Sequence, residues 1–133
     1  MKTLFLINKL LFLKLLKFII VGCSGMIIDF GATYICKEFL KINKFLSNGI
    51  GFIFAATSNY FLNRIWTFNS QVEEIGIQYI QFMIVSIMGL TINSLFLFLL
   101  NEKLKWNFYF SKLIEIMITT IWNFFANLLF TFA

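Results

Sequence analysis

Apolar residues fall into four long runs separated by short polar breaks. The runs are roughly Phe18 to Cys36, Phe45 to Leu62, Ile75 to Leu100 and Phe108 to Phe132. Each is continuous rather than alternating, which predicts helices and argues against the strands of a membrane barrel. Each can cross ~30 Å of hydrocarbon at a rise of ~1.5 Å per residue. The breaks, Lys37 to Lys44, Asn63 to Glu74 and Asn101 to Asn107, are short, so consecutive helices are expected to be antiparallel neighbours. Tyr60 and Trp66 close the second run, Tyr79 opens the third, and Trp106 and Tyr109 precede the fourth. Amphipathic rings settle at such membrane borders, although ordinary packing accounts for each ring equally well. Residues Met1 to Leu16 are apolar with Lys2, Lys9 and Lys14 interspersed, and no small-residue cleavage site follows. This pattern reads as an N-terminal interfacial helix rather than a signal peptide. A frayed basic extension is the alternative.

Composition strengthens the membrane reading. Of 133 residues, 60% are apolar and 13% charged, and 19 are Phe. Soluble domains are about 45–50% apolar, and one this small has too little interior to hide the excess. An all-α integral membrane protein with four transmembrane helices in a single domain is expected. With no His and two Cys, there is no Ser-His-Asp apparatus, no His metal site and no disulfide framework. Non-catalytic action with no cofactor or metal is the expectation. Cys23 and Cys36 lie too far apart on one helix to bond while it is intact. The net charge of +5 suits an anionic membrane surface. The basic residues sit at span ends rather than in a patch, so nucleic acid is not an expected partner. One side collects Lys2, Lys9, Lys14, Lys17 and Arg64, the other Lys37, Lys41, Lys44, Lys103, Lys105 and Lys112. This near tie does not settle orientation by the positive-inside rule.

The chain also matches itself. Shifted by 64, Lys17 to Phe68 aligns without gaps on Gln81 to Phe132, with 16 identities in 52 pairs. Biased composition inflates the Phe, Ile and Leu matches. Gly25/Gly89, Asn43/Asn107, Ser47/Ser111, Asn59/Asn123, Asn63/Asn127 and Thr67/Thr131 are harder to dismiss. Two spans per copy imply parallel repeats entering from the same side, the arrangement in which transporters place a substrate path at the repeat interface.

Polar residues inside the runs are the candidate chemistry. Asp29 lies about 12 residues past Lys17, or ~18 Å along a helix. A carboxylate at that depth is costly unless paired, protonated or wet, and its duplicate position is Asn93. Gly22 and Gly25 precede it and permit close helix approach. Gly51, Ala55, Asn59 and Asn63 form a stripe spaced four residues apart, and Glu115, Thr119, Asn123 and Asn127 form its counterpart. Such stripes face protein or water rather than lipid. They line either a groove or a polar seam between helices. Arg64 follows at the border, where its planar fork suits a phosphate oxygen pair or simply orients the span.

Two strings then stand out: Lys17-Phe18-Ile19-Ile20-Val21-Gly22-Cys23-Ser24-Gly25-Met26-Ile27-Ile28-Asp29-Phe30 and Ser58-Asn59-Tyr60-Phe61-Leu62-Asn63-Arg64-Ile65-Trp66-Thr67-Phe68. With Asn48 opening the second span, they resemble the GtrA-like family of four-span bacterial membrane proteins, also found joined to dolichol-phosphate-mannose-synthase-type glycosyltransferases. The resemblance covers Lys17 to the C-terminus. It implies translocation of polyprenyl-phosphate-linked sugar, typically undecaprenyl-phosphate glucose, across the bacterial cytoplasmic membrane for envelope polysaccharide, with both termini in the cytoplasm. Phe18, Gly22, Asp29, Asn48, Asn59, Asn63, Arg64, Trp66 and Phe68 match the family pattern by position. One departure is that Leu128 stands where the second repeat often carries Arg, so a dimer would supply the second cation or Arg64 mainly orients.

The expected mechanism is a flippase without covalent chemistry. Asn59, Asn63, Glu115, Asn123 and Asn127 replace water bonds to sugar hydroxyls, Arg64 and Lys17 attract the phosphate, and Asp29 bonds a hydroxyl or carries a proton. The partners are the lipid-linked sugar, membrane lipids, a second copy of the chain and a membrane glycosyltransferase. Two rivals stay open: a small multidrug-type exporter using Asp29 as its essential carboxylate, and a non-transporting anchor for a glycosyltransferase.

Overall fold

A computed structural model describes residues 1–133, apart from the Tyr109 side chain. The border role expected for Tyr109 therefore lies outside the described residues. The chain is helical throughout its ordered elements: α1 is Lys2–Tyr34, α2 Lys44–Leu62, α3 Ile75–Phe98 and α4 Phe108–Ala126. It divides into two compact units, Met1–Gln71 and Val72–Ala133. In each unit, two helices pack along their length, α1 with α2 and α3 with α4.

Each helix ends in a five-residue π-helical turn, at Ile35–Phe39, Asn63–Thr67, Leu99–Lys103 and Asn127–Thr131. The first three share one capping device. The Leu40 N–H donates to the Ile35 carbonyl at 3.1 Å, and the Ile42 N–H donates to Cys36 at 2.9 Å. Phe68 and Ser70 bond the Asn63 and Arg64 carbonyls, and Leu104 and Trp106 bond those of Leu99 and Leu100. The residue between each pair, Lys41, Asn69 or Lys105, takes a left-handed φ of 56°, 45° or 59°. These wide turns satisfy carbonyls that a helix end otherwise leaves open. They also carry the helices into stretches that sequence pattern assigns to loops. At the other end, the Asn43 side chain accepts from the Phe45 N–H at 2.7 Å and caps α2.

The N-terminal segment does not form an element of its own. α1 runs unbroken for 33 residues, because no Gly or Pro interrupts Met1 to Phe18. At ~1.5 Å per residue a helix of this length is roughly 50 Å long and exceeds a ~30 Å hydrocarbon core. Three helical stretches are long and apolar enough to cross a membrane: Lys2–Phe39, Ile75–Lys103 and Phe110–Thr131. α2 falls short on composition rather than length. Ser47, Asn48, Asn59 and Asn63 lower its apolar content, and Ser47 and Asn63 are buried.

Burial is inverted relative to a soluble protein. Ser47, Asn63, Gln78, Ser111, Glu115 and Asn127 are buried, whereas Ile27, Phe30, Phe54 and Leu129 are mostly exposed. An exposed apolar shell around polar seams is the arrangement hydrocarbon favours. Together with the three apolar helices, it makes the chain a multi-pass membrane protein. Tyr60 departs from its expected border position. It is fully buried and stacks edge-on against Phe61, with ring centroids 5.1 Å apart, because the π turn carries the helix past it to Thr67. Trp66 keeps a half-exposed place near the helix end.

Candidate functional site

In the first unit, α2 turns Ser47, Gly51, Ala55, Asn59, Asn63 and Thr67 along one face. Ser47, Gly51, Ala55, Asn63 and Thr67 are buried, and Asn59 is half-buried. Gly25 on α1 meets Asn59: a Cβ at Gly25 would land on the amide. Close approach is therefore bought by the missing side chain. Gly22, expected to act likewise, has open space at its Cβ position. Asp29 is half-buried and accepts a hydrogen bond from the Thr33 hydroxyl at 3.2 Å. Both residues press on Gly51 of α2. The Thr67 hydroxyl donates to Asn63 Oδ1 at 2.7 Å, which fixes the buried amide.

The helix end holds the unit's cationic groups. Lys17 Nζ lies 5.4 Å from the Trp66 ring centroid, within cation–π range. Phe18 stacks edge-on against Phe68 at 6.3 Å. Arg64 is half-buried on the same π turn as Trp66. Lys17 and the Arg64–Trp66 turn are thus brought together. Asn48 is not: it is exposed in the first turns of α2, off the face that packs on α1.

The second unit repeats these contacts at the 64-residue offset. A Cβ at Gly89 would land on Asn123, the Thr131 hydroxyl donates to Asn127 Oδ1 at 2.7 Å, and Phe82 stacks against Phe132 at 6.2 Å. The Asn127 amide also donates to the Asn123 carbonyl at 2.8 Å. The polar face extends at both ends beyond the expected stripe, taking in Ser111 and Thr131, both buried. The same four-residue spacing was the signal for these two. From α3, the Gln78 amide donates to the Thr131 carbonyl at 3.2 Å. Gln78 had no such signal, because its pairing lies across the helix contact. Asn93, the counterpart of Asp29, is half-buried.

Satisfaction is uneven along these faces. Asn59 Oδ1, Ser111 Oγ, both Glu115 carboxylate oxygens, Thr119 Oγ1 and Asn123 Oδ1 are sealed and make no hydrogen bond. Lys112 Nζ approaches Glu115 Oε1 at 3.9 Å from half-exposed surroundings. Each unpartnered buried polar atom costs about 1–3 kcal/mol. Beside the polar face lies an apolar cavity of about 570 Å³, lined by Val85, Met88, Trp122, Phe125, Ala126 and Leu129 among others. Trp122 Nε1 is buried without a partner. Among the described residues no group of three or more His, Cys, Asp or Glu side chains is placed to hold a metal ion.

These seams can offer acceptors and donors to a polar molecule at membrane depth, with a cationic border at one end of the first unit. No curated protein matches the chain. The family model for the GtrA/DPMS transmembrane domain matches residues 17–132, so the chain belongs to the GtrA/DPMS transmembrane-domain family.

Proposed function

We propose that the protein translocates a polyprenyl-phosphate-linked sugar, with undecaprenyl-phosphate glucose as the first candidate, across the bacterial cytoplasmic membrane to supply envelope polysaccharide. Family membership links the chain to the handling of such lipids. The observation that carries the reading further is the set of sealed, unpartnered acceptors on Asn59, Glu115 and Asn123. Carrying a sugar through hydrocarbon costs several kcal/mol for each hydroxyl left without a partner, about 2–7 by reference state. An acceptor held ready on a helix face removes part of that cost.

In this mechanism the helix faces within a unit part, and sugar hydroxyls take the acceptor of Asn59 in the first unit or those of Glu115 and Asn123 in the second. Asn63 and Asn127 exchange their threonine partners for the same hydroxyls. Arg64 and Lys17 draw the phosphate to the border, Asn48 meets the headgroup outside the seam, and Asp29 bonds a hydroxyl. The tail stays in lipid. The two units act as duplicated two-span modules, with α2 as the fourth span and the lysine-bearing start of α1 on an anionic surface. A second copy of the chain and a membrane glycosyltransferase are the protein partners that fit.

The test uses the purified chain in vesicles holding undecaprenyl-phosphate glucose, with sugar accessibility to an external reagent as readout. Wild type should expose the inner-leaflet pool. Asp29→Asn and Arg64→Ala should each slow exposure. Wild-type rates in both variants contradict the mechanism, and resistance to quaternary cations on overexpression would favour an exporter.

A further inference from the structure

The two helix pairs are built on the same contacts, which allows each position to be judged against its counterpart. In the first unit, positions 51 and 55 are Gly51 and Ala55, and the pair closes on small groups. The equivalent positions of the second unit carry Glu115 and Thr119. The shared packing therefore does not demand a carboxyl or a hydroxyl there. Both are nonetheless sealed, with relative exposures of 0% and 9%. Neither Glu115 oxygen, nor Thr119 Oγ1, nor Ser111 Oγ has a hydrogen-bond partner.

Charge around Glu115 is sparse. On its own helix, Lys112 Nζ stands 3.9 Å away and its side chain is half-exposed. The facing helix α3 holds no charged side chain between Ile75 and Phe98. The π turn after it brings Glu102 and Lys103, both exposed, to the end of the pair. An ionised carboxylate sealed without donors carries a desolvation cost of several kcal/mol. Protonation removes that charge and gives one oxygen a hydrogen to donate. Ser111 and Thr119 sit one turn to either side, ~6 Å along the axis. That is about the span of one water making two hydrogen bonds of ~2.8 Å. Hydroxyls donate and accept, so both can pass a proton on when the seam admits water.

We propose that Glu115 is a proton-binding site, flanked by Ser111 and Thr119 as relays, and that it couples a proton to the movement of the lipid-linked sugar. The step is the gain of one proton by the carboxylate from the side to which the seam is open, and its loss to the other side. Asp29 in the first unit, with its Thr33 donor, is not the coupling group. The proton site rests on the geometry of the second unit alone, whereas its use in coupling rests on the transport reading above.

Infrared difference spectra of the full chain in phosphatidylcholine–phosphatidylglycerol vesicles, taken between acid and alkaline pH, test the site. Beside the bands of the exposed carboxyls, wild type should show a separate, higher-frequency carbonyl stretch from a buried protonated carboxyl without hydrogen-bond donors, appearing and vanishing with pH. Glu115→Gln should abolish the band, Glu115→Asp should shift it, and Asp29→Asn should leave it in place. If Glu115→Gln does not reconstitute, the shift in Glu115→Asp decides. A band absent at every pH, or one removed by Asp29→Asn and kept in both Glu115 variants, overturns the site. The same vesicles, loaded with undecaprenyl-phosphate glucose under an imposed pH gradient, test coupling. Wild-type translocation should follow the gradient, and Glu115→Gln should ignore it. A titrating Glu115 with gradient-insensitive translocation overturns coupling. No translocation by a protein whose Glu115 titrates overturns the transport reading and leaves the proton site standing.

Discussion

At the scale of the residue, a few small side chains decide how closely the helices meet. Gly25 and Gly89 each receive an asparagine side chain where a Cβ would stand. Gly25→Ala and Gly89→Ala should each cost about 1–3 kcal/mol, the usual range for overpacking. Denaturant unfolding of the detergent-solubilised protein measures this, and adding Asn59→Ala to Gly25→Ala should recover part of the loss. The Thr67 and Thr131 hydroxyls each hold an asparagine oxygen at 2.7 Å. Thr67→Val and Thr131→Val should cost about 0.6–1.5 kcal/mol each, the range for hydrogen bonds inside membrane bundles. Much of this was legible in the sequence. The four-residue spacing alone places Asn59, Asn63, Glu115, Asn123 and Asn127 on helix faces. Asn48 opens α2 as the sequence pattern has it, but a motif match carries no phase, and the phase of α2 turns it away from α1. Gly22 meets no neighbouring helix within its unit, so of the two only Gly25 acts as the close-approach glycine.

At the scale of the element, the apolar runs located all four helices but not their ends. The π turns that lengthen each helix are held by backbone bonds, which leave no side-chain signature. A left-handed residue after a helix is usually Gly. Here Lys41 and Lys105 occupy that position with φ of 56° and 59°, so the stop signal was absent. Lys41→Gly and Lys105→Gly should each stabilise the protein by about 0.5–1 kcal/mol, because a left-handed φ costs Gly no Cβ strain. Thermal unfolding of the two variants checks this. α1 shows the opposite error. Its lysines break the hydropathy of Met1 to Leu16 but not its helical geometry, and one unbroken helix results. α2 shows a third: its polar face lowers its mean hydropathy, and that face is the one packed on α1.

At the scale of the whole molecule, three contacts occur in both units at the 64-residue offset: glycine under asparagine, threonine on asparagine, phenylalanine on phenylalanine. The divergence between units is as informative as the likeness. Gly51 and Ala55 answer to Glu115 and Thr119, and Asp29 answers to Asn93, so each unit keeps one carboxyl at membrane depth on a different helix of its pair. The central claim is that unpartnered polar groups in these faces shelter a passing headgroup rather than hold helices together. Asn59→Leu and Asn123→Leu replace the unpartnered acceptors by an apolar side chain with the same number of heavy atoms, which makes them the sharpest probe. The decisive measurement is the rate of undecaprenyl-phosphate glucose exposure in vesicles, read beside the unfolding midpoint of the same preparations. The account predicts slower exposure with stability equal to or above wild type. Unchanged exposure with lowered stability would contradict it.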